Sequence, residues 1–427
     1  MKVGIIGAGI AGIATAIRMA SRGHEVVVFE ANTYPGGKLS TFDLEGFRFD
    51  AGPSLFTMPQ YVEELFKVAG KPIKGRFEYE RLEVLCHYFW EDGTKIHAFA
   101  EGKKFANEVA EKLQVPAENV LNTLADSERK YHLTGRIFLE KSLHRFDTWW
   151  SASVLKAIFR IPSLDLFRSM YATNKRLLNH EKLVQLFNRY ATYNGSNPYK
   201  APGLLTIIPH FEYGFGAYFP KGGMYSITNS LYELAVELGV RFHFGQKVEE
   251  IEIQQQRAIA LKVVGNRHAF DRVVCNMDIF HAYKQLLPNQ VHPHRILRQP
   301  KSTSALIFYW GIRQRFPQLD LHNILFSQDY KKEFNALDAG TIDDDPTIYI
   351  NITSKYHAPD APEGCENWFT MINVPCNKNQ DWDALIAKAR KNIVTKINRV
   401  LNTDIESLLV CEQILDPRSI ESITQSH

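Results

Sequence analysis

Cysteine is scarce in this chain, and its placement suggests neither cross-links nor a metal. The five cysteines (Cys86, Cys275, Cys365, Cys376 and Cys411) are dispersed and odd in number, with no CxxC spacing. Such a set argues against a disulfide framework or a zinc site and suits a reducing cytoplasm. Long apolar runs are also missing: none reaches the roughly 18 residues that a membrane-spanning helix needs. Excess charge of one sign is missing too. Lys and Arg number 50 against 47 Asp and Glu, a net +3, so nucleic acid is not an expected partner. There is no HExxH, nucleophile elbow or Walker loop, and no internal repeat or low-complexity linker. His292 and His294 sit two apart in a proline-flanked loop and read as solvated side chains, so no metal is expected. The apolar N-terminus is not read as a signal peptide. Its glycines fall in a strand–turn–helix pattern, no cleavage signature follows, and an acidic residue closes the next strand.

What is present is ample core material. At 427 residues the chain is long for one core, so two domains are expected. Hydrophobic residues make up 45% and aromatics 12%, with 27 Phe, 18 Tyr and 6 Trp, enough for packed interiors and for an apolar cavity.

The first thirty residues carry the strongest local signal. Lys2–Ile6 reads as a short apolar strand, Gly7–Gly12 as a glycine-rich turn, Ile10–Ser21 as a helix and Glu25–Glu30 as a second strand. Continuous apolarity without polar alternation marks strands buried on both faces, as in a parallel sheet. In Gly7-Ala8-Gly9-Ile10-Ala11-Gly12, Gly7 permits the tight turn and Gly9 lets the backbone approach a pyrophosphate. Gly12 allows close helix–strand packing. The helix N-terminus offers free N–H groups to phosphate. Glu30, with Ala31 after it, accepts from ribose hydroxyls and would repel a 2′-phosphate, which disfavours NADP. A second set follows: Pro35-Gly36-Gly37-Lys38, then Phe49-Asp50-Ala51-Gly52-Pro53-Ser54. An NAD domain has no particular need for it. An extended FAD does, because its ribityl chain and ring must run along backbone. Gly36 and Gly37 permit that approach, Lys38 can neutralise phosphate, and Gly52, Pro53 and Ser54 shape the backbone near the ring. FAD is therefore the expected cofactor.

Further along, Val84–Trp90 and Lys95–Phe99 flank Asp92-Gly93 as a hairpin. Residues from about Gly102 to His180 read as mostly helical. Strand character returns at Val240–Phe244, Lys247–Ile253, Ile259–Val264 and Arg272–Cys275, then at Ser304–Ile312, Thr347–Thr353 and Trp368–Val374, with one long helix over Asp381–Leu401. The later strands suggest a second, mixed sheet. Leu143–Tyr171 interleaves Phe146, Trp149, Trp150, Leu155, Ile158, Phe159, Leu166 and Phe167 with Arg145, Lys156, Arg160 and Arg168. Two readings stay open for it, a surface that rests in a membrane interface or a core-facing helix pair with a basic edge.

With Tyr218-Phe219-Pro220-Lys221-Gly222-Gly223-Met224 added, these motifs resemble the bacterial carotenoid desaturases of the phytoene desaturase type, within the wider amine oxidase-like flavoproteins. The resemblance covers essentially the whole chain and is strongest over 1–66 and 214–252. Gly37-Lys38-Leu39 and Gly52 to Pro59 look more like the hydroxycarotenoid 3,4-desaturases of Bacteroidetes than like their phytoene desaturases. The fold implied is α/β: a Rossmann-like FAD-binding domain, from 1–70, 214–290 and 410–427, interleaved with a mixed-sheet plus helical substrate domain, from 71–213 and 291–409.

The same resemblance implies a carotenoid substrate, with desaturation at the 3,4-bond of a 1-hydroxylated acyclic end, and puts Val248 against the adenine. It implies Lys38 where many members carry arginine, which loses the bidentate fork for phosphate. Members close with a glycine-rich C-terminal segment that returns to the flavin. This sequence stops at Ile423-Thr424-Gln425-Ser426-His427 before any such segment, and truncation is the expectation. No catalytic acid or base stands out. His210, Glu212 and Tyr213 are candidate proton acceptors, with structural roles favoured for each. A lipid-dissolved substrate implies peripheral attachment to the inner face of the cell membrane, and the flavin's electron acceptor is unassigned. Phytoene desaturation, carotenoid isomerisation, polar-amine oxidation and a non-enzymatic lipid carrier of the GDP-dissociation-inhibitor type remain the alternatives.

Overall fold

The structure, a computed structural model, describes residues 1–142, Arg145, Trp149 and 161–425. Two sheets organise it. In the first, β1 (Lys2–Ile6) lies between β2 (Glu25–Phe29) and Arg272–Cys275, with Arg241–His243 outside β2, and every pairing is parallel. Four of five residues are buried in both β1 and β2, as unbroken apolarity requires. On one face α1 (Ile10–Ala20) buries Gly12, Ile13, Ala16 and Ile17, one stripe of a helix. That stripe meets Ile227, Leu231 and Leu234 of the helix Tyr225–Glu237. The opposite face is covered by an antiparallel meander, Val248–Gln254, Arg257–Val263 and Asn266–Ala269, through Val248, Ile251, Leu261 and Val263. Each such fully buried Val or Leu contributes about 1.5–3 kcal/mol.

The second sheet has seven strands in the order Leu409–Leu415, Ser304–Ile312, Glu366–Val374, Ile348–Asn351, His322–Leu325, Val84–Phe89, Lys95–Phe99. All neighbours are antiparallel except His322–Leu325 with Val84–Phe89, so the sheet is mixed. Leu409–Leu415, expected in the dinucleotide-binding unit, is instead the edge of this sheet. Its Glu412 accepts from Trp310 Nε1 at 2.6 Å and from Arg390 Nε at 2.8 Å, which pins the strand to Ser304–Ile312. Only the helix Pro417–Thr424 after it turns back toward the first sheet, where Ile423 accepts from Asn32 Nδ2.

Helices Gly102–Leu113, Ala117–Glu140, Met170–Leu178 and Glu181–Asn188 pack over the Val84–Phe99 hairpin. Asp381 caps the helix Trp382–Leu401 by accepting from Ala384 N–H. Within Leu143–Tyr171, residues Phe146, Trp150, Leu155, Lys156, Ile158, Phe159 and Arg160 lie outside the described residues, whereas Phe167 is 91% exposed. Among the described residues no helix is long and apolar enough to cross a membrane, and no cluster of His, Cys, Asp and Glu could hold a metal.

Candidate functional site

The site begins where β1 ends. Gly7 N–H donates to Phe29 O at 2.8 Å, and the chain then turns directly into α1. Gly12 is required by space: a Cβ there would lie 2.1 Å from Gly7 O. No side chain caps α1, so its first-turn N–H groups lack intrahelical acceptors where Gly9, Ile10 and Ala11 line a groove.

Glu30, immediately after β2, is 7% exposed. One carboxylate oxygen accepts from Ala8 N–H at 2.7 Å and the other from Asn32 N–H at 2.9 Å. Each oxygen keeps a free lone pair, the acceptor a ribose hydroxyl needs. The second glycine pair is tied to the first. Gly36 N–H donates to Ala8 O at 2.8 Å, and Gly9 and Gly36 form a parallel bridge. Gly36 has φ +110°, and a Cβ there would meet Leu39 O at 2.2 Å, so only glycine closes this loop.

Most of the expected residues share one groove of about 590 Å³: Gly7, Gly9, Ala11, Glu30, Ala31, Gly36, Gly37, Lys38, Pro53 and Val248. Ala8 is fully buried behind it and acts through its backbone. Gly12 is likewise buried behind the turn. Gly52 lines an adjoining cavity of about 760 Å³, which shares Gly37, Lys38, Pro53, Ile423 and Thr424 with the groove. Ser54 lines neither, and its hydroxyl pairs with Tyr349 OH at 2.7 Å. The second cavity is walled by alternate residues of the large sheet, Ile307, Tyr309, Phe369, Met371 and Leu415, and by Phe42 of β3 (Ser40–Leu44). Helix dipole, carboxylate and glycines at one end and an apolar chamber at the other suit a dinucleotide whose flat head meets a hydrocarbon.

Three further contributors lie outside the expected site residues. Asn276 places Nδ2 beside Gly9 and Gly12, where a Cβ on either would come within 3.1 Å and 3.0 Å of it. Ile423 to Gln425 close the far rim of the groove from the other end of the chain. Asp50, on β4 (Phe47–Ala51), accepts from Met224 and Tyr225 N–H and pairs with Arg48 at 2.7 Å, and Arg48 also reaches Asp360. Burial pushes the Asp50 carboxyl upward, and Arg48 with the two N–H groups opposes that.

The candidate proton acceptors are occupied structurally. Glu212 accepts from Arg189 at 3.1 Å, from Tyr190 OH at 2.8 Å and from Tyr193 OH, while Arg189 Nε donates to Tyr88 OH at 2.6 Å. Burial drives the phenols of Tyr88, Tyr190 and Tyr193 well above their usual range. Glu212 is thus half of a buried ion pair with no lone pair aimed at a substrate. His210 packs on Tyr131 and Phe215, and burial lowers its pKa. Tyr213 stacks on Phe105 with its hydroxyl buried and unpartnered.

The model of the flavin containing amine oxidoreductase family matches residues 10–388. The chain belongs to that family. A 1-hydroxycarotenoid 3,4-desaturase from Flavobacterium sp. (strain P99-3) is 48% identical over 427 residues, all of this chain and 87% of the relative. A 4,4'-diapolycopene oxygenase from Methylomonas sp. is 32% identical over 434 residues, covering 99% of this chain and 85% of the relative. Among solved structures, wild-type putrescine oxidase bound to putrescine superposes with a TM-score of 0.63 at 15% identity, over 97% of this chain and 85% of that one. This likeness shows the fold. Within the amine oxidoreductases the chain is of the carotenoid desaturase type, an FAD-dependent oxidoreductase.

Proposed function

We propose that this enzyme desaturates the 3,4-bond of an acyclic carotenoid carrying a 1-hydroxyl end group. The observation that carries the reading is the continuity of the dinucleotide groove with the apolar chamber through Gly37, Lys38 and Pro53. Its finer terms, bond and end group, rest on the full-length likeness to the Flavobacterium 1-hydroxycarotenoid 3,4-desaturase.

The residues present fit FAD. Glu30 would hold the adenosine ribose, the α1 N-terminus the pyrophosphate, Val248 the adenine edge, and Gly36 to Lys38 the chain running toward the ring. Gly52 and Pro53 sit where the groove opens into the chamber, as the ring requires. Bound FAD would supply the two-electron acceptor for the hydride that desaturation of an allylic C–C bond gives up, the accompanying proton passing to solvent. The protein's part is orientation and exclusion of water more than acid–base chemistry. Phe42, Ile307, Phe369 and Met371 give the polyene a dry wall, and no ionised side chain is needed at the reacting bond.

The substrate dissolves in lipid, so we extend the proposal to peripheral docking on the inner face of the cell membrane. The exposed Trp149 and Phe167 lie within the 143–171 segment that would make the contact. Anaerobic incubation of FAD-loaded protein with a 1-hydroxylated acyclic carotenoid tests the main reading. Bleaching of the flavin bands with a red shift of the polyene is expected. No bleaching, or bleaching only by phytoene offered in parallel, overturns it. Flotation with anionic vesicles tests the docking, and protein left wholly in the aqueous layer rejects it.

A further inference from the structure

We propose that the surface segment 279–301, which leaves the rim of the dinucleotide groove, is a contact for anionic lipid that seats the protein on a bilayer. This rests on the membrane docking proposed above and adds to it a second surface, one that reads headgroup charge.

Residues 279–319 contain no Asp or Glu, in a chain that carries 47 of them in 427 residues. The first part of that stretch is held together by its own contacts. Asp278 starts it by accepting from Phe280 N–H at 2.8 Å and, with Leu286, lines the groove. Lys301 and Lys284 both lie over the Phe280 ring, 4.3 and 5.6 Å from its centroid, so one ring gathers two ammonium groups. Tyr283 meets His292, and His292 meets His294, with ring centroids at 6.0 and 6.3 Å. Pro288, Pro293 and Pro300 fix φ along the chain between them. Lys284, Arg295 and Arg298 are exposed. Among the described residues none of these three, nor Lys301, forms a salt bridge. Glu421, the acid whose charge Lys301 senses, faces His281 Nε2 at 3.6 Å.

Cations alone would suit any polyanion. The apolar side chains set among them point to a bilayer. Val291 is 93% exposed, Ile279 49% and Ile296 45%. One exposed aliphatic is ordinary on a protein surface. Three on a segment with four unbridged cations is the composition of an interfacial element, whose charges meet lipid phosphate while its aliphatics reach the acyl boundary. An acidic protein or a nucleic acid would answer the cations and return nothing for Val291, which gains only by leaving water for hydrocarbon. The charge on the lipid is therefore what Lys284, Arg295, Arg298 and Lys301 select, and the bilayer interior is what Val291 selects.

The test is flotation of the FAD-loaded protein with phosphatidylcholine vesicles, with and without phosphatidylglycerol. Wild type should partition about 10-fold or more in favour of the vesicles containing phosphatidylglycerol, and raising salt from about 0.1 M to 1 M should erase that preference. Arg295→Ala with Arg298→Ala should lower partition onto the anionic vesicles about 30-fold, and Val291→Asn about 10-fold. These side chains are exposed, so melting temperature and flavin content should match wild type. Removing two exposed lysines elsewhere, Lys331→Ala with Lys391→Ala, should leave partition unchanged. Equal partition onto both vesicles, an unaffected arginine variant, or an equal loss in the lysine control overturns the assignment. A loss in the arginine variant with none in Val291→Asn makes the segment a contact for soluble polyanions and overturns it as well. Wild type that floats with neither vesicle rejects the docking itself, a result separable from failure of this segment.

Discussion

Asp50 accepts a hydrogen bond from Met224 N–H at 2.7 Å across 174 residues of sequence, and from Tyr225 N–H at 3.2 Å. One carboxylate thereby starts the helix Tyr225–Glu237, whose Thr228 donates to Leu39 O at 3.0 Å and abuts Gly36. Asp50→Ala leaves Arg48 without its nearer carboxylate and strands two donors. Chemical denaturation should show a loss of about 3–5 kcal/mol, with flavin content falling in parallel. A loss below about 1 kcal/mol, ordinary for an exposed ion pair, would show that Asp50 does not organise this junction.

Glu30→Gln keeps the shape and removes the charge. Its amide must turn an N–H toward either Ala8 N–H or Asn32 N–H, donor against donor, and it can no longer offer two anionic acceptors to a ribose. FAD affinity, measured by titration of the apoprotein, should weaken about 10–100-fold, or roughly 1.4–2.8 kcal/mol. Unchanged affinity would remove Glu30 from the cofactor site.

Gly36→Ala places a Cβ 2.2 Å from a backbone oxygen at φ +110°. The loop must open, and with it the bridge to Gly9. Flavin per chain after purification should drop by more than half, while the far-UV spectrum stays near wild type because the damage is local. Gly70, with open space around its Cβ position, is the control: its alanine variant should retain full flavin.

His322 is 4% exposed, with Nδ1 facing Tyr349 OH at 2.7 Å and Asn351 Nδ2 at 3.2 Å. Burial, aided by Arg189, pushes its pKa down to about 3 from 6.5. Unfolded chain takes up a proton below about pH 6.5, and the folded chain does so only near pH 3. This contribution is therefore complete above pH 6.5 and is lost on acidification, at up to about 1.4 kcal/mol per pH unit. Urea midpoints measured from pH 7.5 to 4.5 should fall more steeply for wild type than for His322→Gln. Parallel curves would mean that His322 titrates normally.

The parts of this fold that were legible in sequence are those whose side chains answer one local question. Ile5, Val26 and Val28 are buried on both faces, so unbroken apolarity announced a parallel sheet. Gly7, Gly9, Gly12 and Glu30 lie within one strand–turn–helix–strand unit, so their spacing carried the chemistry. Illegible were the contributions that sequence separates. Three motifs read one by one, around Gly36, Asp50 and Gly223, form a single contact through Thr228 and the Asp50 carboxylate. Leu409–Leu415 gave no usable period, because an edge strand with scattered burial carries no alternation to read. Its place comes from Trp310 and Arg390 meeting Glu412.

The middle position of β1 has a consequence for how the protein is made. One neighbour, β2, leaves the ribosome almost at once, but the other, Arg272–Cys275, follows some 240 residues later. At ordinary translation speeds that delay is about 12–50 s. Asn276 and Val248, the far wall of the cofactor groove, arrive only with it or shortly before. Capture of the dinucleotide is therefore a late step of biosynthesis, and the nascent chain must hold an unfinished parallel sheet, with a bare edge, through that interval.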